Sequence, residues 1–104
     1  GLRNDLLLNA ESNLLLAKSY YRLNRYDDGL AIMEYIIAEQ EESGGKVKES
    51  WLALLWSLYY ENQDYQQAIS VSGKLMAHYP KDKYRKKRSH ICDVANMPQL
   101  CELK

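Results

Sequence analysis

The stretch SYYRLNRYDDGLAI, Ser19 to Ile32, returns with small changes as SLYYENQDYQQAI, Ser57 to Ile69. After Asn24, the residues Tyr26, Gly29, Leu30, Met33, Ile36 and Ile37 recur at offsets of three and four, which places them on one face of a helix. After Asp64, the residues Tyr65, Ala68, Ile69, Ser72, Leu75, Met76 and Tyr79 keep the same offsets, with Ser72 the one polar interruption. From Tyr26 to Tyr65 the copy is displaced by thirty-nine residues. One helix type recurring at such a period is the mark of helical hairpins stacked side by side, each burying its apolar face on the next.

A second helix precedes each of these. Leu14, Leu15, Leu16, Ala17, Tyr20 and Tyr21 lead the first, and Leu52, Leu54, Leu55, Trp56, Leu58, Tyr59 and Tyr60 lead the second. Both leading helices are apolar around most of their circumference, which predicts burial against more than one neighbour. Ser43, Gly44 and Gly45 form the loop between hairpins. Asp64 is expected to cap the helix that follows it, with Gln67 reaching back as a capping box, and Asn24 with Asp27 is a weaker version. Pro80 ends the second copy, because the residue before a proline is pushed out of the α region.

With 104 residues the chain is one domain at most, 1–104, holding a modest single core. Fourteen basic and fourteen acidic side chains cancel, so no global field draws it to nucleic acid or an anionic membrane. The longest apolar run, Trp51 to Tyr60, is about half of the ~20 residues that span a bilayer, and membrane insertion is not expected. Cys92 and Cys101 lack the spacing of a zinc site or a redox pair; in an exported protein they could form a disulfide. Periplasmic and cytoplasmic locations both stay open.

In its second unit the sequence resembles the tetratricopeptide repeat family: Leu55, Tyr59, Asp64, Tyr65, Ala68 and Pro80 fall at the spacings of that family's signature. The first unit matches through Leu16, Ala17, Tyr20, Tyr26 and Gly29. The usual period is about 34 residues, so the loop here is longer. Two positions depart from the pattern: Trp56 stands where a small residue is usual, and Ser72 where an aromatic is usual. The resemblance implies an all-α solenoid of stacked antiparallel helix-turn-helix repeats, about five helices, with repeats over about 11–43 and 47–80 and a partial third repeat or capping helix over about 81–104. It also implies a non-catalytic scaffold whose leading helices line a concave groove for a protein or peptide partner. The groove maps onto Leu14, Lys18, Tyr21 and Arg22, then Ala53, Ser57, Tyr60 and Glu61, then Tyr84, Lys87 and Ile91. Tyr20 and Tyr59 are expected to pack inside, while Tyr21 and Tyr60 face the groove. Lys18 and Arg22 alone do not make the carboxylate clamp of some family members, so the ligand expected is a segment of mixed apolar and acidic character.

Beyond Pro80 the joint YPKDKY resembles that between consecutive repeats in bacterial members of the family. Tyr84, Ile91, Val94 and Ala95 can share a helical face, but Arg85 and Arg88 make this helix polar, as a cap over the core would be. MPQLCELK is too short for a full partner helix. Two and a half repeats are marginal for an array, so the chain is expected to be a piece of a longer protein or to dimerise through an exposed end.

No catalytic constellation emerges. His78 and His90 have no i, i+4 partner. Cys92 lacks an activating base. Glu41 and Glu42 diverge on a helix, and Gly44-Gly45 lacks the lysine of a phosphate loop. No enzyme activity, cofactor or metal is expected. The basic cluster Lys81, Lys83, Arg85, Lys86, Lys87 and Arg88, with Tyr84 available to stack on a base, is the alternative site, for nucleic acid or another polyanion. Against that reading stands a solvated helix start whose cations pair with nearby acids.

Overall fold

The computed structural model describes residues 10–96, and every regular element among them is a helix. They are α1 (Ala10–Arg22), α2 (Tyr26–Glu42), α3 (Glu49–Glu61), α4 (Tyr65–His78) and α5 (Asp82–Val94). Each packs against the next, and α1 also touches α3. This is the all-α stack of helical hairpins that the doubled phase dictates. No helix among the described residues is long and apolar enough to cross a membrane.

The repeated stretch is a helix stop rather than a helix start. At the end of α1 the amide of Arg25 donates to Tyr20 O at 2.8 Å and that of Asn24 to Tyr21 O at 3.1 Å. At the end of α3 the same pair is made by Asp64 to Tyr59 O at 2.8 Å and Gln63 to Tyr60 O at 3.1 Å. These nested bonds, closed over a residue of positive φ (Asn24 at 61°, Gln63 at 63°), form a Schellman turn that satisfies the last carbonyls of the helix. Gly44, at φ 82°, closes the same turn after α2, with Gly45 N bonded to Gln40 O at 3.0 Å.

This corrects the capping boxes expected at Asn24 and Asp64. Neither α2 nor α4 has a side-chain cap. Asp64 does stand at the N-cap position, but its ψ is 65°, short of the extended geometry that aims a cap at the first amides. Its carboxylate instead accepts from Asn62 Nδ2 at 2.9 Å, and Asn24 Oδ1 accepts from the Tyr26 hydroxyl at 2.8 Å.

α3 is the central helix. Trp51, Leu52, Leu55, Trp56, Leu58 and Tyr59 are all buried, joined by Leu30, Met33, Ile36 and Ile37 from α2 and Val71 and Leu75 from α4. α2 approaches closely at Gly29, where an added Cβ would lie 2.9 Å from Leu58 Cδ2. In the second hairpin Ala68, wholly buried, holds the matching place. The broad burial expected of α1 does not hold: Leu14 and Ala17 are buried, while Leu15 and Leu16 stand in solvent. The difference from α3 is positional, since among the described residues no hairpin stacks before α1. Tyr84, Ile91 and Cys92 anchor α5. Cys92 is disulfide-bonded; the pairing considered above also involves Cys101, which lies outside the described residues.

Candidate functional site

α3 turns Trp56, Ser57, Tyr60 and Glu61 toward a concavity closed on one side by Tyr21 of α1 and on the other by Lys83, Lys86, Lys87 and His90 of α5, enclosing about 570 Å³. Its floor is aromatic. Trp56 and Tyr60, one turn apart, stack with centroids 5.0 Å apart and an interplanar angle of 7°. Tyr65 meets Tyr60 edge-on at 5.9 Å. Stacked and edge-on pairs of this kind resist rotation of the rings and add ~0.5–1.5 kcal/mol beyond burial.

The floor is held from below and from the side. The Trp56 indole Nε1 donates to Ser72 Oγ at 2.9 Å, and that hydroxyl donates to Ala68 O at 3.0 Å. Tyr60 shares a hydrogen bond of 3.0 Å with His90 Nε2, tying α3 to α5. Lys87 Nζ sits 4.3 Å above the centre of the Trp56 ring, a cation–π contact. Among the described residues Lys87 has no carboxylate partner, and Glu61 on the opposite wall has no cationic one. On α1, burial pushes the Tyr21 hydroxyl above its ordinary pKa, helped by the charge of Glu61 and the nearby Tyr26 and opposed by a hydrogen bond with Ser57.

The groove set read from the sequence is divided by the fold. Tyr21, Ser57, Tyr60, Glu61 and Lys87 line the concavity. Lys18 and Arg22 stand exposed on α1 and Ala53 is half-buried on α3, none of them in its lining. Leu14, Tyr84 and Ile91 lie in the core instead. They face inward because each shares a helical face with residues that pack on the neighbouring helix: Leu14 with Ala17, and Tyr84 with Ile91. The Tyr84 hydroxyl donates to Glu49, and burial first, then that carboxylate, pushes its pKa up to about 12.

The basic cluster splits. Lys81 pairs with Glu49 at 2.9 Å, and Lys83 reaches the same carboxylate at 3.9 Å. Arg85 pairs with Asp82, and Lys86 approaches it at 3.4 Å. The Tyr84 and Lys81 hydrogen bonds hold the Glu49 carboxyl below its usual range, and the Arg85 and Lys86 bonds do the same for Asp82. Arg88 is half-buried on α5. Lys83, Lys86, Lys87 and His90 are spaced 0, 3, 4 and 7, so one face of α5 carries all four to the groove. That spacing was visible in the sequence, but its meaning depended on knowing which face of α5 looks at α3. Trp56 and His90 were missed as groove residues. No cluster of histidine, cysteine and carboxylate side chains suited to a metal occurs among the described residues.

Compared with known proteins, the chain matches the family model described as Tetratricopeptide repeat over residues 11–43 and 54–82, more than half its length. No match came from the curated proteins or from the solved structures.

Proposed function

The chain belongs to the tetratricopeptide repeat family, and from that premise we propose that its concave face docks an extended segment of a protein partner. Repeats of this family generally mediate protein–protein interaction and are typically non-enzymatic scaffolds. The finer reading is that apolar side chains of the partner lie on Tyr60, which the buried Trp56 backs, while an acidic one meets Lys87. The observation that carries it is the pairing of a rigid aromatic floor with a cation that has no carboxylate of its own among the described residues. Tyrosine and tryptophan in such a setting are typical anchors, giving contact area at small entropic cost. Glu61 on the far wall disfavours a uniformly anionic ligand. Lys81, Lys83, Arg85 and Lys86 are engaged by Glu49 and Asp82, and no observation favours the polyanion reading over the peptide one.

Affinity capture of partners with the wild type beside Tyr21→Ala/Tyr60→Ala tests this reading. Loss of the captured protein in the double variant is expected, and equal recovery would remove the groove from consideration.

A further inference from the structure

Each wall of the concavity keeps one charge that is unpaired among the described residues, and the two are opposite in sign. Glu61, in the last turn of α3, is exposed in the lining beside Tyr21, close enough that its charge helps hold the Tyr21 proton. Lys87 of α5 lies half-buried over the Trp56 ring. Neither has an ion-pair partner among the described residues, in the other or elsewhere.

The remaining polar groups on the α5 wall are engaged. Lys83 is drawn to Glu49 at 3.9 Å and Lys86 to Asp82 at 3.4 Å, while His90 shares its 3.0 Å hydrogen bond with Tyr60. Glu61 and Lys87 are therefore the two charges left to face a ligand, with the half-buried ring of Tyr60 between the walls. In a concave site with an apolar floor such charges are screened less than on an open surface.

We propose that the segment docked in this groove carries both signs of charge: a basic side chain meets Glu61, an apolar one lies on Tyr60, and an acidic one meets Lys87. The proposal rests on the groove reading above and adds to it the basic residue and the order of the three. Alternate side chains of an extended segment share one face, so the three recognised residues fall at i, i+2 and i+4. Glu61 then acts as a specificity residue. An acid in place of the base meets like charge and is rejected, and a base in place of the acid is rejected by Lys87.

The test titrates the full chain, its amide shifts followed by NMR, with short peptides blocked at both ends, up to millimolar concentration. A mixed peptide with lysine, leucine and aspartate at alternate central positions is compared with three others, in which the two charged positions are both aspartate, both lysine or both serine. The mixed peptide is expected to bind about threefold or more tighter than the rest, with shifts at Ser57, Tyr60, Glu61 and Lys87. Glu61→Lys, a change at an exposed position, should invert the preference at an unchanged melting temperature, the doubly acidic peptide now binding tightest. Equal binding of the four peptides, a preference that survives Glu61→Lys, or no binding of the mixed peptide would overturn the proposal. Tyr60→Ala separates this failure from that of the groove itself. If it weakens all four peptides while Glu61→Lys leaves their order untouched, the groove stands and the charge order falls; indifference to Tyr60→Ala removes both.

Discussion

The indole of Trp56 donates to the hydroxyl of Ser72 at 2.9 Å inside the core, and these are the two positions at which the second repeat departs from its family's pattern. A large residue in α3 is accommodated by a small one in α4, and the small one also provides the acceptor that a buried indole needs. Two apparent irregularities are therefore one compensated exchange.

Ser72→Ala is expected to destabilise the fold by about 1–3 kcal/mol, the cost of leaving a buried donor unsatisfied. Ser72→Phe should cost at least as much through overpacking against Trp56. Combining Ser72→Phe with Trp56→Ala should recover part of that loss, giving a favourable coupling in a double-mutant cycle read by urea denaturation. Strict additivity would show that the two sites do not share space.

At the elbow of the second hairpin, Gln63 holds a φ of 63°, a conformation that costs an L-residue ~1–2 kcal/mol. Gln63→Gly removes that strain at some cost in unfolded-state entropy, and should stabilise by about 0.5–1 kcal/mol, or a few degrees in melting temperature. Asn24→Gly should gain less, because asparagine tolerates the left-handed region. A lower melting temperature for Gln63→Gly would contradict this account of the turn.

Stability should fall on both sides of neutrality. Tyr59 and Tyr84 have pKa values raised by burial and by their carboxylate partners, Tyr84 to about 12. Above the ordinary tyrosine value near 10 the unfolded chain releases protons that the folded chain keeps, so stability declines as pH rises toward 12. Tyr84→Phe should flatten this alkaline decline. Glu49 and Asp82 are shifted downward, so their contribution is present above the ordinary carboxylate range and is lost as pH falls below it. Denaturation midpoints measured at acid, neutral and alkaline pH check both arms, and a Tyr84→Phe profile parallel to wild type would refute the assignment to Tyr84.

For the groove, Tyr60→Ala is expected to weaken a captured partner by at least about tenfold, near 1.4 kcal/mol. Lys18→Ala and Arg22→Ala, outside the lining, should change it by less than about twofold. Calorimetric titration with the captured partner reads both. A stronger effect at Lys18 than at Tyr60 would move the binding surface onto α1.

The apolar offsets in α2 and α4 were enough to read both hairpins, because helical phase is a local property of spacing. The elbow was legible as a junction but not as a Schellman turn, since proline-free polar stretches serve equally for stops and starts until the backbone bonds are known. Tyr21 and Tyr60 line the concavity, but of the two tyrosines expected to pack inside only Tyr59 does so; Tyr20 is half-buried outside the core, with the Arg25 guanidinium over its ring, because no helix among the described residues packs on that side of α1. Tyr84 and Leu14 could not be separated from the groove, since a few tens of degrees of helix rotation decide between groove and core. The basic run of α5 read as a single patch along the chain, yet on the helix Lys81 turns to Glu49 while Lys87 turns to Trp56.

By itself the sequence determined the helices, their pairing into hairpins and the order in which they stack, because periodicity and repeat phase act over a few turns of one chain segment. Only the tertiary structure decided that Trp56, Tyr60, Lys87 and His90 share one concavity, that Ser72 offsets Trp56, and that Leu16 is exposed where Leu55 is buried. Those outcomes depend on which helices stand beside one another, and the distances between helices far apart in the chain are set by the packing of the whole stack.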